Sequence, residues 1–303
     1  MEYMSLYQLL SFFMIYAFFG WCTEVIFQAL GKGIVVNRGF LNGPICPIYG
    51  CGVVSVLLLL EHLGSRYPET TNAAGIFVVG VFLATGIELF GGWILDKAFH
   101  ARWWDYRDRK FNLNGYVCPQ FALIWGFGIL LVVRIVHPFI RNLLMLPGET
   151  KWGWGILIVL YVIFLADIST SVSIMVGLNK RFAELNELKQ AMRVVSDKLS
   201  SKIGEESLDT KQKVEIARLE VALGKAELKD AIENAQDEIR DKIQDAGHEL
   251  ERNLEERKKE LMDKVFARKH FGMGRMIFAN PTFDHREYKH WLREIRNEFE
   301  NKK

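Results

Sequence analysis

Several features that define common protein classes are missing from this 303-residue chain. It has no Gly-x-x-x-x-Gly-Lys-Ser/Thr phosphate loop, which excludes nucleotide hydrolysis by that route. Its four cysteines include no Cys-x-x-Cys pair, and no histidine lies near Cys46 or Cys118 in sequence, so a zinc site is not indicated. No Lys or Arg precedes Lys32, so the first apolar stretch lacks the basic region of a signal peptide. We expect that stretch to remain in the mature protein.

Apolar and charged residues occupy different halves of the chain. Almost all long apolar runs lie before residue 178, whereas Lys, Arg, Glu and Asp dominate residues 180–268. A helix needs about 20 apolar residues to cross the hydrocarbon core of a bilayer. Five stretches approach this length, namely 5–30, 47–63, 74–96, 117–137 and 152–177. We predict an all-α polytopic membrane protein: a transmembrane domain of five helices over residues 1–178, followed by a long helical or coiled-coil region.

Lys and Arg are unevenly divided between the short loops, which indicates the orientation. The segments after the first, third and fifth apolar stretches carry most of these residues. The opposite side has only Arg66, Arg141 and Lys151. This distribution predicts an N-terminus outside and a cytoplasmic C-terminal region. Cys46 and Cys118 would then face a reducing compartment, where disulfides are not expected.

The motif Leu-Asn-Gly-x-x-Cys-Pro occurs twice, each time between two apolar stretches. Its recurrence predicts an internal repeat over about 7–63 and 74–137, in which the two hairpins share one orientation. The repeated residue types are Arg38, Asn42, Gly43, Cys46 and Pro47 in the first copy and Arg109, Asn114, Gly115, Cys118 and Pro119 in the second.

Each copy of the motif precedes a predicted spanning helix. We expect Asn42 and Asn114 to be the N-caps of these helices, with each cysteine in the first helical turn. Two such helix starts, with Arg38 and Arg109 nearby, could bind an anion or a lipid headgroup. Alternatively, the motif only starts a helix and packs it against a neighbour.

Three acidic residues lie within the apolar stretches: Glu24, Glu88 and Asp167. An ionisable group inside a bilayer costs at least about 2.5 kcal/mol, so it normally faces a bundle interior or a water-filled path. We interpret these residues as the lining of a polar membrane interior. Alternatively, the two glutamates brace neighbouring helix starts, and the serines that follow Asp167 serve helix packing.

A loop rich in aromatic and charged residues follows the third apolar stretch. Trp103, Trp104, Asp105 and Tyr106 have the composition of a membrane-interface segment. Such a segment could transmit motion from a cytoplasmic ATPase, or it could be an aromatic anchor.

The charged region, residues 179–270, has two helical patterns. Leucines and other apolar residues from Leu185 to Leu199 recur every three or four positions, as in a coiled-coil seam. A turn is expected at 204–210. An eleven-residue period follows, through Leu228, Ile239, Leu250 and Leu261 and through Ile232, Ile243, Leu254 and Val265. Residues 271–303 predict a short amphipathic helix that docks on its own chain, the membrane or another protein.

Residues 7–178 resemble a bacterial family of ABC-transporter permeases of the CmpB type. The resemblance rests on Gly20-Trp-Cys-Thr-Glu24-Val, on the first repeated motif from Arg38 to Gly50, and on Trp104-Asp105-Tyr106 with Phe111-Asn-Leu113-Asn114-Gly115. The segment from Arg275 to Pro281 is similar to a short tail motif of the same family. The resemblance implies transport across the bacterial cytoplasmic membrane, but it supplies no catalytic residues.

The leading hypothesis is therefore a non-enzymatic, permease-like membrane subunit. Any ATPase would be a separate subunit, and the chain would form a homo-oligomer in the lipid bilayer. We expect no cofactor, no metal and no nucleic-acid partner. A second hypothesis is a membrane scaffold or sensor that oligomerises through residues 180–268. A third is a membrane-embedded thiol enzyme or metal site that uses Cys46, Cys118, Glu24 and Glu88.

Overall fold

The computed structural model describes residues 4–33, 35–145, 149–221, 249, 252–265, 272–280 and 282–301. Short connections include a 3-10 turn at Pro68–Thr71 and a two-stranded antiparallel pair of β1 (Ala101–Arg102) and β2 (Asp284–His285). The helices are α1 (Leu6–Lys32), α2 (Pro47–Arg66), α3 (Ala73–Phe99), α4 (Pro119–Leu131), α5 (His137–Met145), α6 (Lys151–Val221), α7 (252–265), α8 (Met273–Phe278) and α9 (Lys289–Asn301).

Five helical segments are long and apolar enough to cross a membrane: Leu6–Gly31, Pro47–Arg66, Ala73–Phe99, Pro119–Leu144 and Lys151–Val194. The predicted all-α class and the five spanning helices are confirmed. Many apolar side chains on these helices are exposed, including Phe82 and Phe127. Such surfaces suit a lipid environment, because lipid tails are as apolar as the side chains.

The chain divides into two compact units, Met1–Asn179 with Phe266–Lys303, and Lys180–Val265. In the first unit, neighbouring helices pack in the order α6, α1, α2, α3, α4. Tyr161 on α6 donates its hydroxyl to the Leu10 carbonyl on α1 at 3.1 Å. The core between the spanning helices is formed by Phe12, Tyr16, Val53, Val56, Leu57, Leu60, Ile76, Ile129 and Ile140.

Proline sets the first residue of both α2 and α4. Pro47 and Pro119 occupy the first helical turn, where the missing N–H costs nothing and the fixed φ favours a helix. A residue before proline is pushed to extended backbone, so Cys46 (φ −119°) and Cys118 (φ −145°) are the N-caps. The prediction that Asn42 and Asn114 cap these helices is therefore wrong, and each cysteine precedes the first turn.

The fourth span contains a π-helical turn at Val132–Val136. Pro138 lacks an N–H, so it cannot bond the carbonyl four residues earlier, and a π-turn accommodates that break. Two polar contacts hold the distorted turn. Arg134 donates to the Thr71 carbonyl at 2.9 Å, and the Tyr16 hydroxyl lies 2.9 Å from Nδ1 of His137.

Helix α6 continues without a break through the segment in which the sequence predicts a turn. Residues 204–210 are helical, and α6 extends over 71 residues to Val221. A single glycine in a helix costs only about 1 kcal/mol, and no proline interrupts this segment. In the second unit Leu185, Leu261 and Val265 are buried. Most positions of the eleven-residue period lie outside the described residues, namely Leu228, Ile232, Ile239, Ile243 and Leu250.

The C-terminal segment packs back onto the first unit. Strand β2 pairs with β1, with His285 opposite Ala101 and Asp284 opposite Arg102. One face of α9 is buried through Trp291, Leu292 and Ile295. Of the three partners considered for this helix, the structure shows its own chain.

Glycine permits close packing of α3 against α4, which predicts an effect of Gly126→Ala. A Cβ at Gly126 would lie 2.4 Å from a methyl of Val81 and 2.9 Å from the Phe77 ring. We expect a loss of about 1–3 kcal/mol from this overpacking, measured as a lower thermal-unfolding midpoint in detergent.

Gly128→Ala on the same helix is the matched control, because a Cβ at that position would meet nothing within 4 Å. Equal unfolding midpoints for the two variants would contradict the packing of α3 against α4.

Candidate functional site

Loop 1, residues 35–46, enters the membrane region instead of staying at its surface. The backbone N–H of Cys46 donates to the carbonyl of Ala17 at 2.9 Å. Ala17 lies 15 residues before the end of α1 at Lys32, which corresponds to roughly 22 Å along the helix. Helix α2 therefore begins beside the middle of the first span. Its apolar part, 47–60, covers only about 21 Å of a hydrocarbon core about 30 Å thick.

Loop 2, residues 100–118, lies along the C-terminal part of α3. A buried stripe on α3, Glu88, Gly92 and Asp96, contacts the loop at four-residue intervals. Tyr106 donates its hydroxyl to Glu88 at 3.0 Å, and Tyr116 donates to Asp96 at 2.5 Å. Since Glu88 lies 11 residues before the end of α3, loop 2 reaches roughly 16 Å into the helical bundle.

The two intramembrane glutamates belong to one network of polar and aromatic contacts. The Tyr49 hydroxyl donates to Glu24 at 2.7 Å, and the Trp125 indole N–H donates to Glu88 at 3.0 Å. The rings of Tyr49 and Trp125 meet edge to face, with centroids 5.6 Å apart. Both helical hairpins therefore contribute to a single site that contains Glu24 and Glu88.

The hydroxyl donors of this network differ between the two copies of the motif. Tyr49 follows the first Cys-Pro and donates to Glu24 directly. Phe121 occupies the matching place after the second Cys-Pro and has no hydroxyl. Tyr106 stacks on the Phe121 ring at 4.7 Å and supplies the hydroxyl to Glu88 instead.

Asp167 on α6 holds loop 1 rather than contacting this network directly. Its Oδ1 accepts the backbone N–H of Asn42 at 3.0 Å and the Asn42 side-chain amide at 3.2 Å. Its Oδ2 accepts the backbone N–H of Gly43 at 2.7 Å. A Cβ at Gly43 would lie 2.9 Å from the same oxygen, so glycine permits this approach. Ser171 completes the contact through the Asn42 amide, at 3.0 Å.

Asn37 stabilises loop 1 from within. Its side-chain amide donates to the carbonyls of Leu41 at 3.1 Å and Asn42 at 2.8 Å. Its oxygen accepts the backbone N–H of Gly39 and the indole N–H of Trp21. Backbone groups that leave helical geometry at membrane depth thereby find partners inside the protein, as they must where no water is present.

Loop 2 is fixed by a compact set of charged and amide contacts. Burial alone would raise the pKa of Asp105, but hydrogen bonds from Arg107 and the charge of Arg102 outweigh burial and lower the pKa. The Asn112 side chain accepts the backbone N–H of Gly115 at 2.9 Å and donates to Arg109. Gly115 has φ +77°, and a Cβ there would lie 2.6 Å from Asp105, so only glycine fits here.

The two tryptophans of loop 2 make contacts inside the protein. Trp103 is buried between the rings of Phe40 and Phe283, at 5.2 and 5.1 Å. Trp104 donates to the Tyr116 carbonyl at 2.9 Å. Burial and the nearby Glu88 carboxylate raise the pKa of Tyr106 above its ordinary value. The membrane-interface role of residues 103–106 stays a prediction, and Trp103 is buried within the protein.

A C-terminal clamp, defined as residues 272–280 and 282–301, joins the two loops. Arg275 is 5 % exposed and donates to three loop 1 carbonyls, those of Asn37, Gly39 and Phe40, at 2.8–3.2 Å. Burial lowers the pKa of this arginine, although a guanidinium stays charged.

The same clamp binds Arg38 of loop 1 and Trp103 of loop 2 through neighbouring residues. Arg38 donates to Asn280 at 3.2 Å and to Thr282 at 2.7 Å, and lies 3.9 Å from Glu24. Thr282 in turn donates to the Trp103 carbonyl at 2.6 Å. One short segment therefore connects both loops and the first carboxylate.

His285 anchors the clamp to the C-terminal end of α3 and to α6. Its Nδ1 accepts the backbone N–H groups of Glu287 and Tyr288, at 3.3 and 3.2 Å, so the ring proton is assigned to Nε2. Nε2 then donates to Asn179 at 3.1 Å. Asn179 also donates to the Phe99 carbonyl at 3.0 Å.

The two motif arginines have different environments, and an anion site that includes both stays a prediction. Arg38 is bound to the clamp, whereas half-exposed Arg109 lies beside Asp108 and Gln120. Cys118 is buried and Cys46 is half-buried. Within the described residues, no group of three or more His, Cys, Asp or Glu side chains is placed to hold a metal ion.

Several contacts of the site were not predicted from the sequence. Glu88 and Asp96 are eight residues apart with Gly92 between them, a spacing that marks one helix face and could have indicated the stripe on α3. Arg102, Tyr116, Trp125, Arg275, Asn280, Thr282 and His285 join the site through tertiary contacts that no local pattern announces.

The Asp167 contact predicts a destabilising effect of Asp167→Asn. The neutral side chain loses the negative charge that attracts three N–H groups, and hydrogen bonds to charged groups contribute about 1.5–3 kcal/mol. We expect a lower thermal-unfolding midpoint by a comparable free energy. Ser169→Ala is the control, because that exposed hydroxyl donates to the Leu165 carbonyl of its own helix.

The clamp should weaken in acid because His285 is held neutral. Burial lowers its pKa to about 4. An unfolded chain with a histidine pKa near 6.5 binds a proton first, so stability is full above about pH 6.5 and is lost as the pH falls towards 4. The loss is on the order of 2–3 kcal/mol.

Thermal unfolding between about pH 7.5 and pH 5 measures this effect. His285→Gln should reduce the pH dependence, whereas His290→Gln, on the exposed face of α9, should leave it unchanged. Equal pH dependence in all three proteins would contradict a neutral His285 in the clamp.

Comparison with known proteins assigns the membrane unit to a family. The model of the family described as "Putative ABC-transporter type IV" (ABC_trans_CmpB) matches residues 11–172, which is more than half of the chain. No solved structure matches. The matched region contains Glu24, Glu88, Asp167 and both loops. The protein therefore belongs to this ABC-transporter-type membrane protein family.

Proposed function

We propose that the protein is the membrane subunit of an ABC-type transporter whose ATPase is a separate chain. The observation that carries this proposal is the contact of two polar loops with carboxylates of the membrane helices, of which Glu88 is buried. Non-helical backbone at membrane depth, together with intramembrane carboxylates, is typical of transport pathways.

The need for a separate ATPase follows from the sequence. The chain has no phosphate loop, so nucleotide hydrolysis by that route requires another subunit. The tip of loop 2 offers an exposed contact point for such a partner. Phe111 is 89 % exposed at φ +57°, between Lys110 and the Asn112 side chain that fixes the turn.

We further propose that both loops and the C-terminal clamp face the cytoplasm, with the N-terminus outside. The excess of Lys and Arg on the loop side supports this orientation. The clamp contacts both loops, so these three elements share one side of the bundle. The protein would work as a homo-oligomer in the bacterial cytoplasmic membrane, because five spanning helices are few for a transport pathway.

A site-specific photo-crosslinker tests the partner and the orientation together. Placed at Phe111 in the native cells, it should capture an ATP-binding subunit, which is cytoplasmic. The control position is Tyr67, which is 46 % exposed and follows α2 at the opposite end of the bundle. Capture from neither position, or from Tyr67 alone, would contradict the proposal.

The 71-residue α6 favours a second candidate, a membrane scaffold or sensor. At about 1.5 Å per residue it extends over roughly 105 Å. Replacing residues 180–265 with a flexible linker would leave the clamp in place, since Gly177 lies against Met273. Loss of self-association with membrane function intact would argue against the scaffold. Loss of both would favour it.

A further inference from the structure

Two buried carboxylates on α3 differ in their charge partners. Asp96 lies 3.1 Å from the guanidinium of Arg102, which balances its charge. Glu88 is 6 % exposed, and in the described part of the chain no Lys, Arg or His forms an ion pair with it. Its partners are neutral: the hydroxyl of Tyr106 and the indole of Trp125.

Neutral donors do not replace a counter-charge in a membrane interior. Hydrogen bonds orient dipoles towards a carboxylate, but an unpaired ion away from water still costs several kcal/mol. An ionised Glu88 would be such an ion. With the hydrogen bonds that the structure shows, a positive charge must therefore accompany the carboxylate of Glu88.

Glu24 does not neutralise Glu88, because an ionised Glu24 is itself negatively charged. It belongs to the same network through Tyr49 and Trp125, and its one ion-pair partner among the described residues is Arg38, at 3.9 Å. With both glutamates ionised, the two negative charges and the one positive charge of Arg38 leave one negative charge over. A single monovalent cation would neutralise the network.

We propose that Glu88 and Glu24 form an intramembrane proton-binding site that holds one exchangeable proton at neutral pH, chiefly on Glu88. Aromatic rings pack closely around the carboxylates: Tyr49 against Trp125, and Tyr106 against Phe121. A proton needs no cavity, unlike a larger cation. Hydronium transfers the proton to a carboxylate oxygen and leaves as water, and the reverse step restores the carboxylate.

Tyr106 transmits the state of this proton to loop 2. When Glu88 is ionised, the Tyr106 hydroxyl donates to Oε1; when that oxygen carries the proton, it donates and the phenol oxygen accepts. The backbone of Tyr106 pairs with Gly115 and Arg109, at 2.9 Å in each case. A change in the protonation of Glu88 therefore alters a hydrogen bond of Tyr106, whose backbone is part of the hydrogen-bonded structure of loop 2.

Charged and titratable groups surround Glu88 and Glu24, and α4 contributes only the neutral Trp125. Those on α1, loop 1 and α2 add one carboxylate, one guanidinium, one thiol and one phenol. Loop 2 adds a phenol and a thiol. They are Glu24, Arg38, Cys46, Tyr49, Tyr106 and Cys118, of which Arg38 lies beside Glu24.

Infrared spectroscopy of the full-length protein in liposomes tests the proposal, because a protonated carboxyl has its own C=O band. The wild type should show this band at neutral pH and lose it as the pH rises. Glu88→Gln should abolish the band, and Glu61→Gln should not. Glu61 is the control because it lies at the far end of α2, beside the backbone N–H of Met4.

Stability gives a second readout that does not depend on assigning the band. Glutamine resembles a protonated glutamate, so Glu88→Gln should leave the thermal-unfolding midpoint at neutral pH unchanged or higher. If Glu88 is instead ionised and stabilised by its donors, the same variant will unfold at a lower temperature. That result, or a missing protonated-carboxyl band in the wild type, would overturn the proposal.

Repeating the titration in sodium chloride and in choline chloride separates a proton site from a site for an alkali cation. Equal titrations support the proton. Loss of the band in sodium alone would show a sodium site and overturn the proposal. The proton site does not depend on the proposed ATPase, so failure of the crosslink at Phe111 would leave it standing.

Discussion

The contact between Asp167 and the turn of loop 1 stabilises the position of loop 1 among the membrane helices. A chain that leaves helical geometry within a bilayer exposes N–H groups that water cannot reach, and each must find an acceptor inside the protein. Asp167 accepts those of Asn42 and Gly43. Because loop 1 is held at this depth, α2 can begin beside the middle of α1, and Tyr49 then lies within reach of Glu24.

The C-terminal clamp extends the same principle to residues far apart in sequence. Arg275 satisfies three carbonyls of loop 1, while Thr282 binds Trp103 of loop 2 and Arg38 of loop 1. The loops are therefore fixed by one short segment. Displacement of that segment would release contacts in both loops at once, which gives the protein a physical means of coupling events at the C-terminal segment to the membrane helices.

The carboxylate network shows how a motif that occurs twice in the sequence can give an asymmetric site. Both motifs place Cys-Pro at a helix start, but the aromatic that follows is Tyr49 in one copy and Phe121 in the other. A phenylalanine cannot donate a hydrogen bond, so Tyr106 of loop 2 supplies the hydroxyl to Glu88. The second carboxylate thereby receives a hydroxyl from loop 2, whereas the first lies near the guanidinium of Arg38 in loop 1.

The sequence by itself determined the all-α class, the five spanning helices and the presence of acidic residues among them, because apolar length and residue type are local properties. It also marked Asn42, Gly43 and Cys46 as special, although it misassigned the caps, since Pro47 and Pro119 decide where the helices begin. Only the tertiary structure brought Glu24 to Glu88, Asp167 to loop 1 and Arg275 to the carbonyls of residues 37–40. Those contacts join positions up to 238 residues apart. Their geometry depends on how the helices pack and how deeply the loops enter, which no local pattern encodes.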